Sequence, residues 1–577
     1  MRARNVGLGW LTMLILASVG GCTKSAPAPA PAVPAGNVAR LHWLGIQRLA
    51  HESNAAYFMS VWNLPESKQL VAETLDKLAV GLVASNGVTV ASNQLSVSGG
   101  QPLKTNYQSR LTGAAALLRP LLEDVLQQES FVEVRQPTKQ PGELALAIRL
   151  NERHASLWET NLAAVIEALT GSPAVAAPGG SYGWQLLITN RLSTALLLQP
   201  TLPRHLELTH AGDWTLVGLG PDQNALLKDL RARIRRDGAP ASVTATNFWL
   251  EADLDLGRLA SALALDRELL AGLPKLALTV IGAGGEVRTV GELKFAKPLP
   301  FEEAAWNIPT NLVCENLISF TALRGFRPWL SSQKVWRDLE FGATPNQVFF
   351  WAREGLPFLS YSAAPLPDAS NCVARFTERL TKEGNAWMAT NGLGKFLPSE
   401  KTNGVVWSAP FMEPYLESAT VGGSDYVLGG LVHQAPGTNR PVAPGLFHEF
   451  TRRTNLVAYD WELTGPRLDA WLYTGQMFRL IFFRDRLTAE CASAKWLKAA
   501  ALRLGNCVTA VTLAGPDQLA FARRSAIGFS SVELHLLAEW LESPQFPRGY
   551  SSQVAHRVVP IARMPSGTNS VPVPRPK

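Results

Sequence analysis

Three landmarks occur twice along this chain in the same order, and that recurrence constrains the fold more than any single motif. Residues 213–219 read DWTLVGL and residues 425–431 read DYVLGGL, a shared D-[WY]-x-L-x-G-L. Downstream, Thr246-Asn247 opens TNFWLEADLDLGRLASAL and Thr454-Asn455 opens TNLVAYDWELTGPRLDAWL. Each copy runs T-N, then D-x-[DE]-L, then R-L-x-x-x-L. The first landmark precedes the second by 33 and 29 residues, a difference the size of a loop change. In the third pair, Leu276–Ala296 alternates around Gly282-Ala-Gly-Gly285 and Cys507–Gly528 alternates around Ala514-Gly-Pro-Asp517. Both patterns predict hairpins, two β-runs joined by turn-forming residues.

Local signals supply the elements between these landmarks. Ser156-x-x-Glu159 has the form of a capping box and predicts a helix with Trp158, Leu162, Val165, Ile166 and Leu169 inward. Asn224 is the expected cap of a helix burying Leu226, Leu227, Leu230 and Ile234, and Ser530-x-x-Glu533 caps another carrying Leu534, Leu537, Trp540 and Leu541. Short β-type runs lie between, among them Glu143–Leu150, Trp184–Thr189, His205–Leu219, Gln347–Trp351 and Gly404–Trp407. Hairpins this frequent predict an α+β protein, antiparallel sheets with helices packed on one face, built as an internal duplication. The halves are expected over 39–310 and 311–542. No strict period of about 20–50 residues runs through the chain, which excludes the common solenoids and propellers.

The ends differ from this body. Arg2 and Arg4 precede Val6–Val19, an uncharged, mostly apolar run of 14 residues, followed by Val19-Gly20-Gly21-Cys22. The run is too short to cross about 30 Å of hydrocarbon but has the length of a signal-peptide core. Residues 1–22 resemble the signal peptide and lipobox of bacterial lipoproteins, with Val19 and Gly20 in place of the usual Leu and Ala/Ser. The resemblance implies cleavage before Cys22, a thioether from its sulfur to diacylglycerol, and acylation of the new amino group. Two or three acyl chains hold a protein on a membrane where one does not, at about 0.8 kcal/mol per buried CH₂. Thr23, where some bacteria place an inner-membrane retention Asp, implies the outer membrane. Residues 23–38 then form an Ala/Pro-rich tether with Pro27, Pro29, Pro31 and Pro34. At about 3.1 Å per residue in polyproline II, it is a semi-rigid spacer of roughly 45 Å. Residues 543–577, with seven prolines and no apolar periodicity, predict a disordered tail.

The tail also accounts for the charge. The chain is formally +7; losing Arg2 and Arg4 leaves +5, and residues 543–577 carry Arg548, Arg557, Arg563, Arg575 and Lys577 with no acid. The body between is formally neutral, so the basic balance points to no nucleic-acid partner. The expected partners are the membrane, through Cys22, and an envelope protein or polymer.

No catalytic motif holds its required context. Gly179-Gly180-Ser181-Tyr182-Gly183 matches G-x-S-x-G, but a loop precedes it and a β-run follows, the reverse of a nucleophile elbow. Ser331-Ser332-Gln333-Lys334 matches S-x-x-K, but Lys401-Thr402-Asn403-Gly404 interrupts the Lys-Thr-Gly that penicillin-recognising enzymes also need. His448-Glu449 lacks a second histidine one turn on. His205 and His210 fall on opposite faces of a strand. Asp253 and Asp255 lack the remaining oxygen ligands of a calcium loop, and an ion-pair or turn role is expected for Asp253 and Glu462. Neither Gly218/Gly220 nor Gly282/Gly284 completes a dinucleotide fingerprint. Cys314, Cys372, Cys491 and Cys507 are expected as buried thiols or one bridge, and the 17 tryptophans chiefly as core. We therefore expect no catalytic, cofactor or metal residues, and Cys22 as the modified site. Three functions follow, in this order: a lipid-anchored, non-catalytic envelope binding or scaffold protein; an envelope hydrolase with a diverged site; a lipid carrier.

Overall fold

The computed structural model describes residues 36–547 apart from 85–104, 137–141, 171–174, 178–180, 187–203, 222–223, 242–246, 263–271, 340, 356–358, 392–393, 401, 409–412, 434–441, 443–444, 479–490 and 544–545. Cys22, the tether to residue 35 and the tail from residue 548 lie outside the described residues, as do Gly179, Gly180, Thr246 and Lys401.

The described strands are β1 (Asn37–Trp43), β2 (Ser130–Arg135), β3 (Glu143–Arg149), β4 (Val175–Ala177), β5 (Ser181–Leu186), β6 (Arg204–Ala211), β7 (Trp214–Gly220), β8 (Phe248–Asp255), β9 (Lys275–Ala283) and β10 (Glu286–Lys294). They continue with β11 (Leu317–Arg324), β12 (Gln347–Arg353), β13 (Ser360–Pro365), β14 (Lys395–Pro398), β15 (Val405–Ser408), β16 (Tyr415–Val421), β17 (Ser424–Gly430), β18 (Leu456–Leu463), β19 (Asn506–Gly515) and β20 (Gln518–Ser525). Together they form one antiparallel sheet of 20 strands. With helices between them, the class is α+β as expected.

Both predicted hairpins are present, β9 with β10 and β19 with β20. In the first, Gly284 and Gly285 take φ of 60° and 89°, a left-handed turn that side chains disfavour. Traced by hydrogen bonding, the first arm of the sheet runs β4-β5-β6-β7-β3-β2-β1-β8-β9-β10. The second runs β14-β15-β16-β17-β13-β12-β11-β18-β19-β20. Raising each strand number of the first arm by ten yields the second. The arms meet where β10 pairs with β20, from Val287 opposite Ser525 to Lys294 opposite Gln518. At this seam a Cβ on Gly291 would strike the Ala277 carbonyl oxygen and come within 2.7 Å of the Phe521 ring, so the close approach needs glycine.

Longer helices cover the sheet: α1 (Pro65–Ala84), α2 (Thr105–Gln127), α3 (Glu152–Thr170), α4 (Ala225–Asp237), α5 (Thr464–Phe478), α6 (Ala492–Ala501) and α7 (Ser531–Leu541). Asn224 caps α4, accepting from the Leu227 N–H at 2.9 Å, and Ser530 with Glu533 forms the expected capping box of α7. The start of α3 differs from expectation. Asn151 accepts from the His154 N–H at 3.0 Å, and the helix begins at Glu152, four residues before Ser156. A competing cap thus wins, and Glu159 is free to pair elsewhere.

Four helices from both arms share one core. Leu70 of α1, Leu468 of α5, Trp496 and Leu497 of α6, and Leu534 and Ala538 of α7 pack together. Trp496 Nε1 donates to Ser67 Oγ at 3.1 Å, and Lys77 Nζ lies 2.9 Å from Glu542. The packed body is longer at both ends than the sequence predicts. β1 opens at Asn37, inside the expected tether, and Phe546 stacks edge-on against Trp540 with centroids 4.8 Å apart. Trp158 and Trp249 are buried in cores, and Cys314, Cys372, Cys491 and Cys507 form no disulfide among the described residues. Among the described residues no helix is long and apolar enough to cross a membrane.

Candidate functional site

The ends of β1, β2 and β3, the start of α3 and the β6–β7 turn surround an open cleft of about 1260 Å³. Its charged lining is Arg48, Glu129, Arg149, Glu152, Glu159 and Asp213, joined by His51, His154 and His210 and by Gln47, Gln127, Gln128 and Asn151. Glu129 organises one wall. Its Oε1 lies 3.0 Å from His42 Nε2, while Oε2 lies 3.3 Å from Arg149 and 3.6 Å from Arg48. Burial alone would raise this carboxyl. The His42 hydrogen bond and charge, then Arg48 and Arg149, instead hold it below the usual carboxylate range.

Opposite, two histidines are oriented by carboxylates. Asp124, in the otherwise apolar stripe of α2, accepts from Trp158 Nε1 at 2.9 Å and lies 2.7 Å from His154 Nδ1. Asp124 is 6% exposed and His154 37%, so the imidazole reaches the cleft while its partner stays behind it. Engaging Nδ1 leaves Nε2 as the nitrogen open to a ligand. His210 has both nitrogens committed, Nε2 to Glu159 at 2.8 Å and Nδ1 to Thr215 Oγ1 at 3.2 Å.

The second arm holds a different cluster, buried rather than open. Asp460 and Glu462 lie two apart on β18 and so share a face. Across the sheet, Thr321, Asp460, Thr509, Arg523 and Thr289 stand in one register row. Thr321 Oγ1 donates to Asp460 at 2.6 Å, and Arg523 Nε donates to Thr509 Oγ1 at 3.2 Å. Glu462 accepts from the Ser531 N–H and hydroxyl, both at 2.6 Å, at the N-terminus of α7, where the helix dipole favours an anion. Arg523 closes the cluster on Glu533, the residue that completes the α7 capping box. Burial and then the neighbouring Glu462 push Asp460 up to about 7, and burial raises Glu462 despite its Ser531 hydrogen bonds. The cluster pins α7 to the sheet.

The residues weighed from sequence fall into place. Cys22, the one expected site, lies outside the described residues. Ser181 begins β5, with strand after it. The helix Arg327–Ser332 ends before Gln333, which is extended, and Lys334 starts a new helix and pairs with Asp338 at 2.7 Å. Ser331 and Lys334 therefore share no helical turn. Asp253 pairs with Arg40 at 3.1 Å, the ion-pair role expected of it, whereas Glu462 is structural in another way, as an acceptor for Ser531 at the α7 N-terminus. Among the described residues no group of three or more His, Cys, Asp or Glu converges as a metal site. Sequence reasoning missed the His154–Asp124 pair and Asp460, although a carboxylate inside an apolar helical stripe or strand face is the signal that marks both. No protein family, curated protein or solved structure matches this chain.

Proposed function

We propose that this chain is a lipid-anchored cell-envelope protein, held by Cys22, whose first-arm cleft binds a polar envelope ligand without converting it. The supporting observation is the cleft's chemistry. Arg48 and Arg149 are balanced by Glu129 and Asp213, and Glu159 is engaged by His210, so most of the lining charge is met within the cleft. What remains is a mixture of amide, imidazole and carboxylate groups suited to a neutral, hydroxyl- and amide-rich chain such as a glycan. Ordinary ligand pockets span about 300–1,000 Å³, so about 1260 Å³ has room for an oligomer. Calorimetric titration of the mature protein with solubilised envelope glycans tests this. Binding weakened at least ten-fold by the joint replacement Gln47→Ala and Gln128→Ala is expected. No heat with any fragment, and no partner cross-linked in cells from position 213, would remove the reading.

A second reading, a diverged hydrolase, is favoured by the His154–Asp124 pair alone, since a carboxylate-oriented imidazole is suited to general-base work. Turnover of ester or glycan substrates, abolished by His154→Ala, would establish it; turnover unaffected by that change would sink it.

The recurring strand order, together with the sequence landmarks at β7/β17, β8/β18 and the two hairpins, supports an internal duplication. An experimental structure in which superposing β1–β10 on β11–β20 did not bring Asp253 onto Asp460 would remove that part.

A further inference from the structure

The body of this protein is formally neutral, yet one helix is strongly basic. Within α4, Lys228, Arg231, Arg233, Arg235 and Arg236 are concentrated in nine residues. At about 100° per residue, Lys228, Arg231, Arg235 and Arg236 fall within an arc of about 140°. Leu226, Leu227, Leu230 and Ile234 occupy the opposite side and are buried. Lys228, Arg235 and Arg236 are exposed and Arg231 half-buried, with Arg236 paired to Asp237 at 2.7 Å on the solvent side. Complementing the helix dipole explains cations in the last turn, Arg235 and Arg236, but not Lys228 and Arg231 before it.

The helix also lies at the root of the tether. Asn37, the first strand residue, donates through its side chain to Glu133, and Glu133 in turn pairs with Arg233 of α4. Arg135 makes a second link, reaching Asn37 Oδ1 at 3.3 Å and Asp229 of α4 at 3.2 Å. The chain entering from Cys22 thus arrives beside the basic helix.

Resting on the lipid-anchor reading, we propose that the Lys228, Arg231, Arg235 and Arg236 face of α4 docks on anionic phospholipid headgroups of the membrane that holds the tether. Each cation near an anionic surface strengthens binding about five-fold. Four would bind weakly alone. A roughly 45 Å spacer supplies an effective concentration on the order of millimolar, enough for a weak patch to engage. The spacer then sets the reach of the body rather than a fixed stand-off.

The test uses full-length mature chain in two forms, acylated at Cys22 and carrying Cys22→Ser. The Cys22→Ser form is sedimented with phosphatidylcholine vesicles with and without 30% phosphatidylglycerol. Binding that requires phosphatidylglycerol and disappears in 0.5 M NaCl is expected, because the screening length falls to a few ångströms. Replacing Lys228, Arg231, Arg235 and Arg236 with Gln should weaken it at least a hundred-fold, while exchanging the three arginines for lysine should restore it and exclude misfolding as the cause. Neutralising the tail cations Arg548, Arg557, Arg563, Arg575 and Lys577 serves as the comparison. If the helix variant binds like the parent, if only the tail variant loses binding, or if the parent ignores phosphatidylglycerol, the proposal is overturned. Mass spectrometry of the chain made in a lipoprotein-processing host tests the anchor separately: an unacylated Cys22 removes the lipid-anchor reading, whereas the vesicle result bears on the helix alone.

Discussion

The two arms of the sheet share one strand order but use their paired acids differently. In the first arm, half-buried Asp253 of β8 meets Arg40 at 3.1 Å, and Asp255 caps the helix Leu256–Ala262 by accepting from the Arg258 N–H at 3.0 Å. In the second, the corresponding Asp460 is tied to Thr321 and Glu462 to Ser531 of α7, with Arg467 near both acids and Arg523 near Asp460. The same D-x-[DE]-L string makes a half-buried ion pair and a short helix cap in one arm, and ties a strand to a covering helix in the other. What differs is the helix laid over it. The first arm keeps its polar groups for an open cleft, and the second spends them on holding its helical layer.

The largest expected effect separates those roles. Glu462→Ala strands the Ser531 donors and unbalances buried arginines, and should cost roughly 3–5 kcal/mol in urea unfolding. Asp255→Ala removes one helix cap and should cost about 1 kcal/mol. Equal losses would break the comparison.

At the seam joining the arms, Gly291→Val must displace Phe521 and the Ala277 backbone, and a loss of about 1–3 kcal/mol is expected by thermal melting. A neutral result would mean that β10 and β20 do not pair closely.

Titration gives a signed test. Asp460 has its folded value raised from the ordinary 3.8 to about 7, so between those pH values the folded state holds a proton that the unfolded state has released. Its contribution therefore favours folding at acid pH and is lost as pH rises through about 7. Glu129, lowered in the folded state, acts oppositely, its stabilisation present above the ordinary carboxylate range and lost as pH falls. Chemical unfolding from pH 4.5 to 8 should lose part of its downward slope in Asp460→Asn. Asp253→Asn should change the slope less, because burial raises Asp253 against Arg40, whereas at Asp460 the Glu462 charge adds to burial. An unchanged slope in Asp460→Asn would show that β18 is not sealed.

The smallest effect concerns the exposed Lys334–Asp338 pair. Lys334→Ala should shift stability by no more than about 0.5 kcal/mol. A larger loss would give the S-x-x-K string a role its split helix denies it.

Much of the local structure was legible because its causes are local. The Asn224 cap, the Ser530/Glu533 capping box and the two hairpins each rest on a few neighbouring residues, and each is present. The error at α3 is instructive on the same ground. Ser156-x-x-Glu159 satisfies the capping pattern, but Asn151 offers a cap one turn earlier, and Glu159 turns to His210, 51 residues away. The cleft was not legible. His154 and Asp124 sit on different helices 30 residues apart, and no periodicity relates them.

From the sequence alone come the duplicated landmarks, the hairpins, the capped helices and the expectation of a lipidated Cys22 ahead of a proline-rich spacer. Only the tertiary structure decided that β10 pairs with β20 into a single sheet, that α1 crosses to the helices of the second arm, and that one acid pair is tied to a covering helix while its counterpart meets Arg40 and a short helix of its own. Turns and caps draw their energy from adjacent residues, so the sequence carries them openly. Strand order, burial and the meeting of distant side chains draw theirs from contacts that exist only once the chain has closed on itself.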